Sequence, residues 1–423
     1  MLNFLETMYT VYKFGGASIR DVENIKNVGE ILLSYTEGSL IIIFSAMGKV
    51  TNMLEDVVEV YIERSSDPFV YLQKVKDFHY EIINNLFHKN HIIFDEINNL
   101  FVEIEWVLES EPSSNYSYNY DQIVSVGEFL STKIMSAYLE KVKFKNKWLD
   151  ARDLIRTDNT FRDAKIDWEV SISCIKNQIK SKHYITQGFI GCTSENFTTT
   201  LGREGSDFTA AILAFALDAD KVVIWKDVPG MMNADPKHFA DAELIEQISF
   251  DEAIELAFYG AKVIHPKTIQ PLKKKQIPLH IKSFMFPLMK GSEINEGIIK
   301  KPEMSSLIVK DKQILISISD TSLAFIVEMH ISMIFSLLAK YQIAVNLMQN
   351  SAISFSICVD NDKYKVPALL NDLKESFDVR YNDALSLYTL RHYTDINTSK
   401  LLKGKKIILE QKSRNTLQIV VQH

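Results

Sequence analysis

Apolar positions change period twice within the first fifty residues. Val11, Tyr12 and Phe14 suit a short buried strand, and after Ser18 the apolar residues Ile19, Val22, Ile25, Val28 and Leu32 recur at helical spacing. "SLIIIFSAM" at 39–47 is apolar on both faces, as a central parallel strand is. Residues 10–50 therefore read as strand, glycine turn, helix and strand. Ser18, with Asp21 three residues on, resembles a capping pair for that helix.

The alternation continues. "GKVTNML" leads into a helix with Leu54, Val57, Tyr61 and Ile62 on one side, and 70–108 reads as mainly helical. "EPSSNYSYNYDQ" at 111–122 is expected to be a polar, turn-rich break, followed by a helix in "QIVSVGEFLSTKIMSAYLEK". "HYITQGFIG", "KVVIW" and "IPLHIKSF" read as strands, with helices in "SDFTAAILAFALDA" and "SFDEAIELAFYGAK". This is an α/β pattern with a mostly parallel sheet, and crossover handedness makes it a three-layer αβα sandwich. Ligands in such folds collect at the carboxyl ends of the strands. The loops expected to carry function are 15–18, 45–51, 188–207 and 226–237.

A boundary is expected in "GSEINEGIIKKPEMSS", giving a catalytic domain over 1–297, a linker over 298–312 and a smaller region over 313–423. The tail reads as strand "ILISIS", helix "ISMIFSLLAKY", strands "AVNLMQN" and "ISFSICVD", and helix "KVPALLNDLKESF". That is a ferredoxin-like α+β order. A strand, a short helix and two strands follow, like an incomplete second copy.

Composition narrows the class. With 46% apolar and 24% charged residues and a formal charge of −7, the chain is an ordinary globular protein without a basic nucleic-acid surface. The lysines at 273–275 read as a solvated helix end, and those at 403, 405 and 406 as part of a turn. Cys174, Cys192 and Cys358 are too widely spaced for a metal cluster or a disulfide framework, which points to a reducing compartment. The amino-terminal residues lack the basic region and long apolar core of a secretory signal, and Met8 could serve as the start. No apolar run is membrane-length. The expectation is a cytoplasmic protein without nucleic-acid or membrane partners.

Gly15 and Gly16 lie where backbone N–H groups can approach an anion, with Lys13 adding a full charge. A tight structural turn with an incidental lysine accounts for that loop equally well. The deciding segment is "TTTLGREGSDFTAA" at 198–211, because a structural turn needs glycines but not Arg203 and Asp207 as well. Together with "KFGGAS", "FSAMGKVTNML", "VGE", "KDVPGMMNADPK" and "YGAKVIHP", in that order, the chain resembles the aspartate kinases of the amino-acid kinase superfamily over residues 10–297. The tail resembles the ACT regulatory region attached to those kinases.

The resemblance implies ATP-dependent phosphorylation of the L-aspartate β-carboxylate, the entry to lysine, methionine and threonine synthesis, with ATP and Mg2+. A carboxylate is already ionised at neutral pH and needs no general base, so the difficulty is bringing an anion onto a polyanion. By resemblance, Lys13 touches the transferring phosphate, and Asp207 organises Lys13 and the metal-bound water. Ser45 and Thr51 sit near the β-carboxylate, Arg203 takes the α-carboxylate, and Glu128 accepts the α-ammonium. Ser206 joins the substrate site, while Gly15, Gly16, Ser18, Lys226, Asp227, Lys237 and Lys262 line the nucleotide. The metal ligands stay unassigned.

Plainer readings compete at several positions. Ser45 or Thr51 could cap the next helix, Glu128 could be a solvated helix residue, Lys237 and Lys262 could be surface lysines, and His265 reads as a loop or core histidine. The chain also departs from its relatives. Ala17 replaces a usual threonine, Glu204 a frequent glycine, Lys226 a common threonine and Lys237 a frequent arginine. In the tail, Asn346 and Ala352 stand where lysine-sensitive relatives carry carboxylates, and "EMHISM" lacks the usual glycine. A homodimer through the ACT-like region, with weak lysine sensing and room for another amino-acid effector, is expected. A single-function enzyme is also expected, since no homoserine dehydrogenase module follows the tail. Another phosphotransferase of the superfamily and a catalytically silent regulatory subunit are the alternatives.

Overall fold

The structure, a computed structural model, describes residues 8–34, 38–180, 182–261, 263–297, 300–321, 325–394, 401 and 404–422. It opens with β1 (Tyr9–Phe14), α1 (Val22–Leu33), β2 (Ser39–Phe44) and α2 (Val50–Glu63). Next come α3 (Pro68–Leu86), α4 (Ile93–Glu109), α5 (Tyr116–Val124), α6 (Val126–Lys141), β3 (Lys147–Trp148) and α7 (Trp168–Gln178). β4 (Tyr184–Gln187), β5 (Ile190–Cys192), β6 (Thr198–Thr200), α8 (Gly205–Leu217) and β7 (Lys221–Lys226) follow. The series runs on through β8 (Gln247–Ser249), α9 (Phe250–Tyr259), α10 (Pro266–Lys275), β9 (Leu279–Ser283), β10 (Ser292–Asn295) and β11 (Lys300–Lys301).

Nine strands form one sheet in the order β11-β8-β10-β9-β7-β1-β2-β4-β3. β1 runs parallel to both β2 and β7, with Lys13 opposite Ile43 and Ile224. From β1 the chain winds out to β2 on one side and returns to β7 on the other. Their carboxyl ends therefore open at one edge, where such sheets bind ligands. All six residues of β2 are buried, as its apolar run requires. Strand alternation sends Phe14 to one face, where its ring stacks on Phe44 at 5.5 Å and on Trp225 at 5.7 Å. The helical lobe of α1 to α6 packs on this face. Lys13 points to the other face, where α8 packs on β1, β2 and β7 with buried Ala210, Ala211 and Ala214. Helices on both faces make the three-layer αβα sandwich.

The chain divides into two compact units, and the second comprises 232–243, 255–262 and 302–423. Two stretches inside the expected catalytic segment thus belong to the second unit. It contains β12 (Ser306–Asp320), α11 (Glu328–Lys340), β13 (Val345–Asn350), β14 (Ser354–Asp360), α12 (Lys365–Lys374), β15 (Phe377–Arg391), β16 (Lys406–Lys412) and β17 (Thr416–Gln422). The ferredoxin-like order holds, and the strands form one antiparallel sheet, β13-β14-β12-β15-β17-β16. β12 and β15 are each fifteen residues long and pair along their length. The second, incomplete copy is therefore built on continuations of the first copy's strands. The short helix expected near residue 400 lies almost wholly outside the described residues.

Three local expectations are corrected. The segment 298–312 is not a bare linker: β11 adds to the main sheet beside β8, and β12 begins at Ser306. The polar stretch 111–122 breaks only as far as Asn115, whose side chain accepts from the N–H groups of Ser117 and Tyr118 and starts α5. Ser18 does not cap α1. Its hydroxyl donates to the Gly15 carbonyl at 2.6 Å within a tight turn, and Asp21 caps the helix by accepting from the Asn24 N–H.

Candidate functional site

At the carboxyl edge of the first unit's sheet, Lys13 near the end of β1 meets Asp207 in the first turn of α8. Lys13 Nζ lies 2.7 Å from Asp207 Oδ1, and Lys226 Nζ, from the end of β7, lies 3.2 Å from Oδ2. Lys226 also donates to the Val263 carbonyl. The Asp207 side chain is only 3% exposed. Burial pushes its carboxyl group up, but the two lysines outweigh burial and hold it below the ordinary value. Two ammonium groups on one carboxylate leave a net positive charge, which suits a second anion.

The glycine turn lies beside this charge. A Cβ on Gly16 would come within 2.6 Å of the Ala46 carbonyl oxygen, so only glycine lets the turn approach the loop after β2. The Gly48 N–H donates to the Gly16 carbonyl and ties the two loops together. A Cβ on Gly15, by contrast, would meet only Lys13 Nζ, at 3.5 Å. The space over Gly15 and beside the ammonium is open to a ligand's anionic group. Ser18 is fully buried beneath the turn.

Glu128, in the first turn of α6, is 2% exposed and accepts from the Ala46 N–H at 3.2 Å through Oε1. Its Oε2 has no hydrogen-bond partner among the described residues. Burial pushes its carboxyl group up to about 8, against the pull of the Ala46 N–H and the Lys13 charge. A buried acid with one unused oxygen has room to accept one further donor, and the reading of Glu128 as a solvated helix residue is excluded. Ser45 and Thr51 flank the same loop, and neither hydroxyl has a hydrogen-bond partner among the described residues. Lys49, not either of them, is the N-cap of α2, and it makes no side-chain cap.

The "GREGSD" turn joins β6 to α8. A Cβ on Gly188 would come 2.5 Å from that of Ser206, so glycine there lets the first turn of α8, with buried Ser206, reach the sheet edge. Arg203 is exposed and has no partner among the described residues. Glu204 has φ +54° and Gly202 φ +76°, so the chain turns sharply on either side of Arg203. Lys267 Nζ donates to the Leu201 carbonyl at 3.1 Å and pairs with Asp163 at 2.7 Å, which braces the turn. Lys267 was not among the sequence candidates, because nothing local distinguishes it from other helix lysines.

Asp227 is exposed just beyond β7. Lys237 is exposed in the 232–243 stretch of the second unit. Lys262 lies outside the described residues. His265 is the N-cap of α10, its Nδ1 accepting from the Lys267 N–H at 3.1 Å. Among the described residues, no three His, Cys, Asp or Glu side chains gather as a metal site.

The geometry thus sets cations against open space over a glycine turn, with one unpaired arginine and one half-used buried acid nearby. It can hold a polyanion beside a small molecule that carries both a carboxylate and an ammonium group. Residues 8–283 match the amino acid kinase family. The chain is 31% identical over 395 residues to lysine-sensitive aspartokinase 3 of Escherichia coli, covering 90% of this chain and 86% of that one. It is 30% identical to the chloroplastic aspartokinase 1 of Arabidopsis thaliana, over 94% of this chain and 69% of the relative. The solved structure of E. coli aspartokinase III with aspartate and ADP matches with a TM-score of 0.82 at 28% identity, covering 98% of this chain and 96% of that one.

Proposed function

The chain belongs to the amino acid kinase family, among its aspartokinases, and from that premise we propose that Lys13, Asp207, Arg203 and Glu128 carry the ATP-dependent phosphorylation of L-aspartate. The reaction is that of an aspartate kinase: a β-carboxylate oxygen forms a bond to the γ-phosphorus of ATP, and the bond to the bridging oxygen breaks. ADP leaves with that electron pair. No proton moves, so no general base is required.

Each residue then has a physical task. Lys13, held by Asp207, faces the phosphoryl oxygens over Gly15, and Lys226 adds a second charge from the same carboxylate. The N–H groups of the glycine turn complete the cradle. Arg203 takes the α-carboxylate as a bidentate fork. Glu128 Oε2 takes the α-ammonium, and Ser45, Thr51 and Ser206 surround the reacting carboxylate. Asp227, Lys237 and Lys262 remain candidates for the nucleotide's outer contacts. Both oxygens of Asp207 are engaged by lysines and the described residues form no metal cluster, so the donor set does not suit a protein-held metal. Mg2+ is proposed as the nucleotide's own ion, and no step here passes through it.

The observation that carries this reading is the half-used Glu128 carboxyl group placed near Lys13, since its free oxygen can accept an ammonium group close to the anion site once the carboxyl group is ionised. The test is a panel of amino acids, carbamate and nucleotides with ATP, trapping acyl phosphate as hydroxamate. Aspartate alone should give hydroxamate at a high rate. Preference for another acceptor, or no turnover, would contradict the reading.

A homodimer through the second unit is proposed as well. Phe325, Met329 and Met333 are exposed at and before the start of α11, and β13 and β16 leave open sheet edges. Sedimentation of the full chain should give twice the monomer mass. We place the protein in the cytoplasm on its three unpaired cysteines. No helix among the described residues is long and apolar enough to cross a membrane.

A further inference from the structure

We propose that Asp121 is a positioning residue that sets aspartate affinity by immobilising the chain that delivers Arg203, an inference that rests on Arg203 being the α-carboxylate ligand. Asp121 lies in α5 and is completely buried. Its Oδ2 accepts from the Thr200 N–H at 2.8 Å and the Arg162 N–H at 3.0 Å, while Oδ1 accepts from the Thr200 hydroxyl at 2.7 Å. The partners are main-chain and hydroxyl groups. Burial therefore raises its carboxyl group to about 6 in spite of them. Burying a carboxylate without a close ion pair is costly. The return is that only an ionised carboxylate accepts all three hydrogen bonds without presenting a donor of its own.

What those bonds hold is the end of β6. The Thr200 N–H and hydroxyl both go to Asp121, and its carbonyl accepts from the Ala164 N–H at 3.0 Å. The next residue, Leu201, donates to the Phe189 carbonyl at 2.8 Å and accepts from Lys267. Arg203 is the third residue beyond Thr200 and the first to carry a free charged group. A fixed pedestal under a free guanidinium limits the rotamer freedom lost when substrate binds, and its geometry is set before binding.

α5 also reaches the other substrate elements. The hydroxyl of Tyr120 donates to Glu55 Oε1 at 2.7 Å, and Glu55 lies one turn after Thr51 on α2. Only Ser125 separates α5 from α6, which carries Glu128. The Arg162 guanidinium lies 4.4 Å over the Tyr120 ring and 5.3 Å over Tyr116, which packs the second anchored loop onto the same helix. Asp121 is thus the point where the Arg203 strand is fastened to the scaffold of the aspartate site.

The test measures aspartate KM, ATP KM and kcat on the full chain. Asp121→Asn sets an amide donor against the N–H and hydroxyl donors of Thr200 and Arg162. Aspartate KM should rise about tenfold, with ATP KM and kcat within about twofold, as for loss of one hydrogen bond to a charged group. A merely structural role would lower the active fraction, and so kcat, without moving aspartate KM. Thr200→Val removes only the hydroxyl donor and carries the test if Asp121→Asn does not fold. It should raise aspartate KM in the same sense, and Thr200→Ser should restore it. In an Arg203→Ala background, either substitution should change aspartate KM no further. An unmoved aspartate KM in both variants, or the full increase persisting without Arg203, would overturn the proposal. If Arg203→Ala alone leaves aspartate KM unchanged, the reading of Arg203 fails, and this inference goes with it.

Discussion

Lys226 Nζ lies 3.2 Å from Asp207 Oδ2, on the carboxylate whose other oxygen holds Lys13 at 2.7 Å. One buried anion therefore orients two cations toward the same space. Lys13 stands nearer the glycine turn, so its loss removes the charge that meets the transferring phosphoryl group. Lys13→Ala should lower kcat by roughly 100-fold to 1000-fold, about 2.7–4 kcal/mol of transition-state stabilisation, with aspartate KM little changed. Lys226→Thr should cost less, since Lys13 and the backbone donors remain. Initial rates at saturating ATP check both, and near-normal turnover in Lys13→Ala would sink the phosphate-cradle assignment.

Glu128 predicts a pH-dependent aspartate affinity. Its carboxyl group is raised from 4.5 to about 8 by burial. Between those values the folded protein holds a proton that the unfolded chain has released, so this group's contribution to stability falls as pH rises through the window. Substrate ammonium pairs only with the ionised form. Aspartate KM should therefore fall about tenfold per pH unit from pH 6 towards 8 and level off above. Glu128→Gln should raise aspartate KM and abolish the slope. A pH-independent KM in the unaltered protein over that range would contradict the assignment.

Glu204 should be dispensable. It sits at the N-cap of α8 with φ +54°, makes no side-chain cap, and leaves Oε2 buried without a partner among the described residues. Glycine adopts this conformation freely, and relief of left-handed strain is worth about 1 kcal/mol before the added chain entropy is subtracted. Glu204→Gly should keep full activity and equal or slightly higher thermal stability. Loss of activity with folding intact would point to a direct role for the carboxylate.

Asn346 argues against strong lysine sensing and against a simple repair of it. Its Oδ1 accepts from Lys310 Nζ at 2.8 Å, while Nδ2 donates to Gln313 Oε1 at 2.8 Å and Asp360 Oδ1 at 3.0 Å. The carboxamide is committed to partners within the second unit. Lysine titrated into the kinase assay should inhibit weakly, and strong inhibition at submillimolar lysine would refute this. Asn346→Asp removes both donors and sets a carboxylate against Asp360, so it should lower stability by about 1–3 kcal/mol, read as a reduced Tm.

Much of this was legible along the chain. The strands at 9–14, 39–44 and 221–226 lie where apolar runs end in glycine, serine or lysine, and the tail keeps its β-α-β-β-α order. These signals are local, because burial on both faces writes itself into neighbouring residues. Six short motifs in one order identified the family, since each sets a glycine close to a charged residue that neither a turn nor a helix needs.

Pairing across the fold was not legible. Asp121 fell inside a stretch that reads as a polar break, because its three donors come from residues 162 and 200, far along the chain. Lys226 read as a nucleotide contact, and only the packing of α8 against β7 brings it to Asp207. Ser18 read as a cap until the tight turn placed its hydroxyl under Gly15. Periodicity determines which face of an element is buried, and so the sequence alone set most of the strands and helices and the chemistry present, though not α5 or β11. Which donor meets which acceptor depends on how the sheet orders its strands, and that was decided only when the carboxyl ends of β1, β2 and β7 came to one edge.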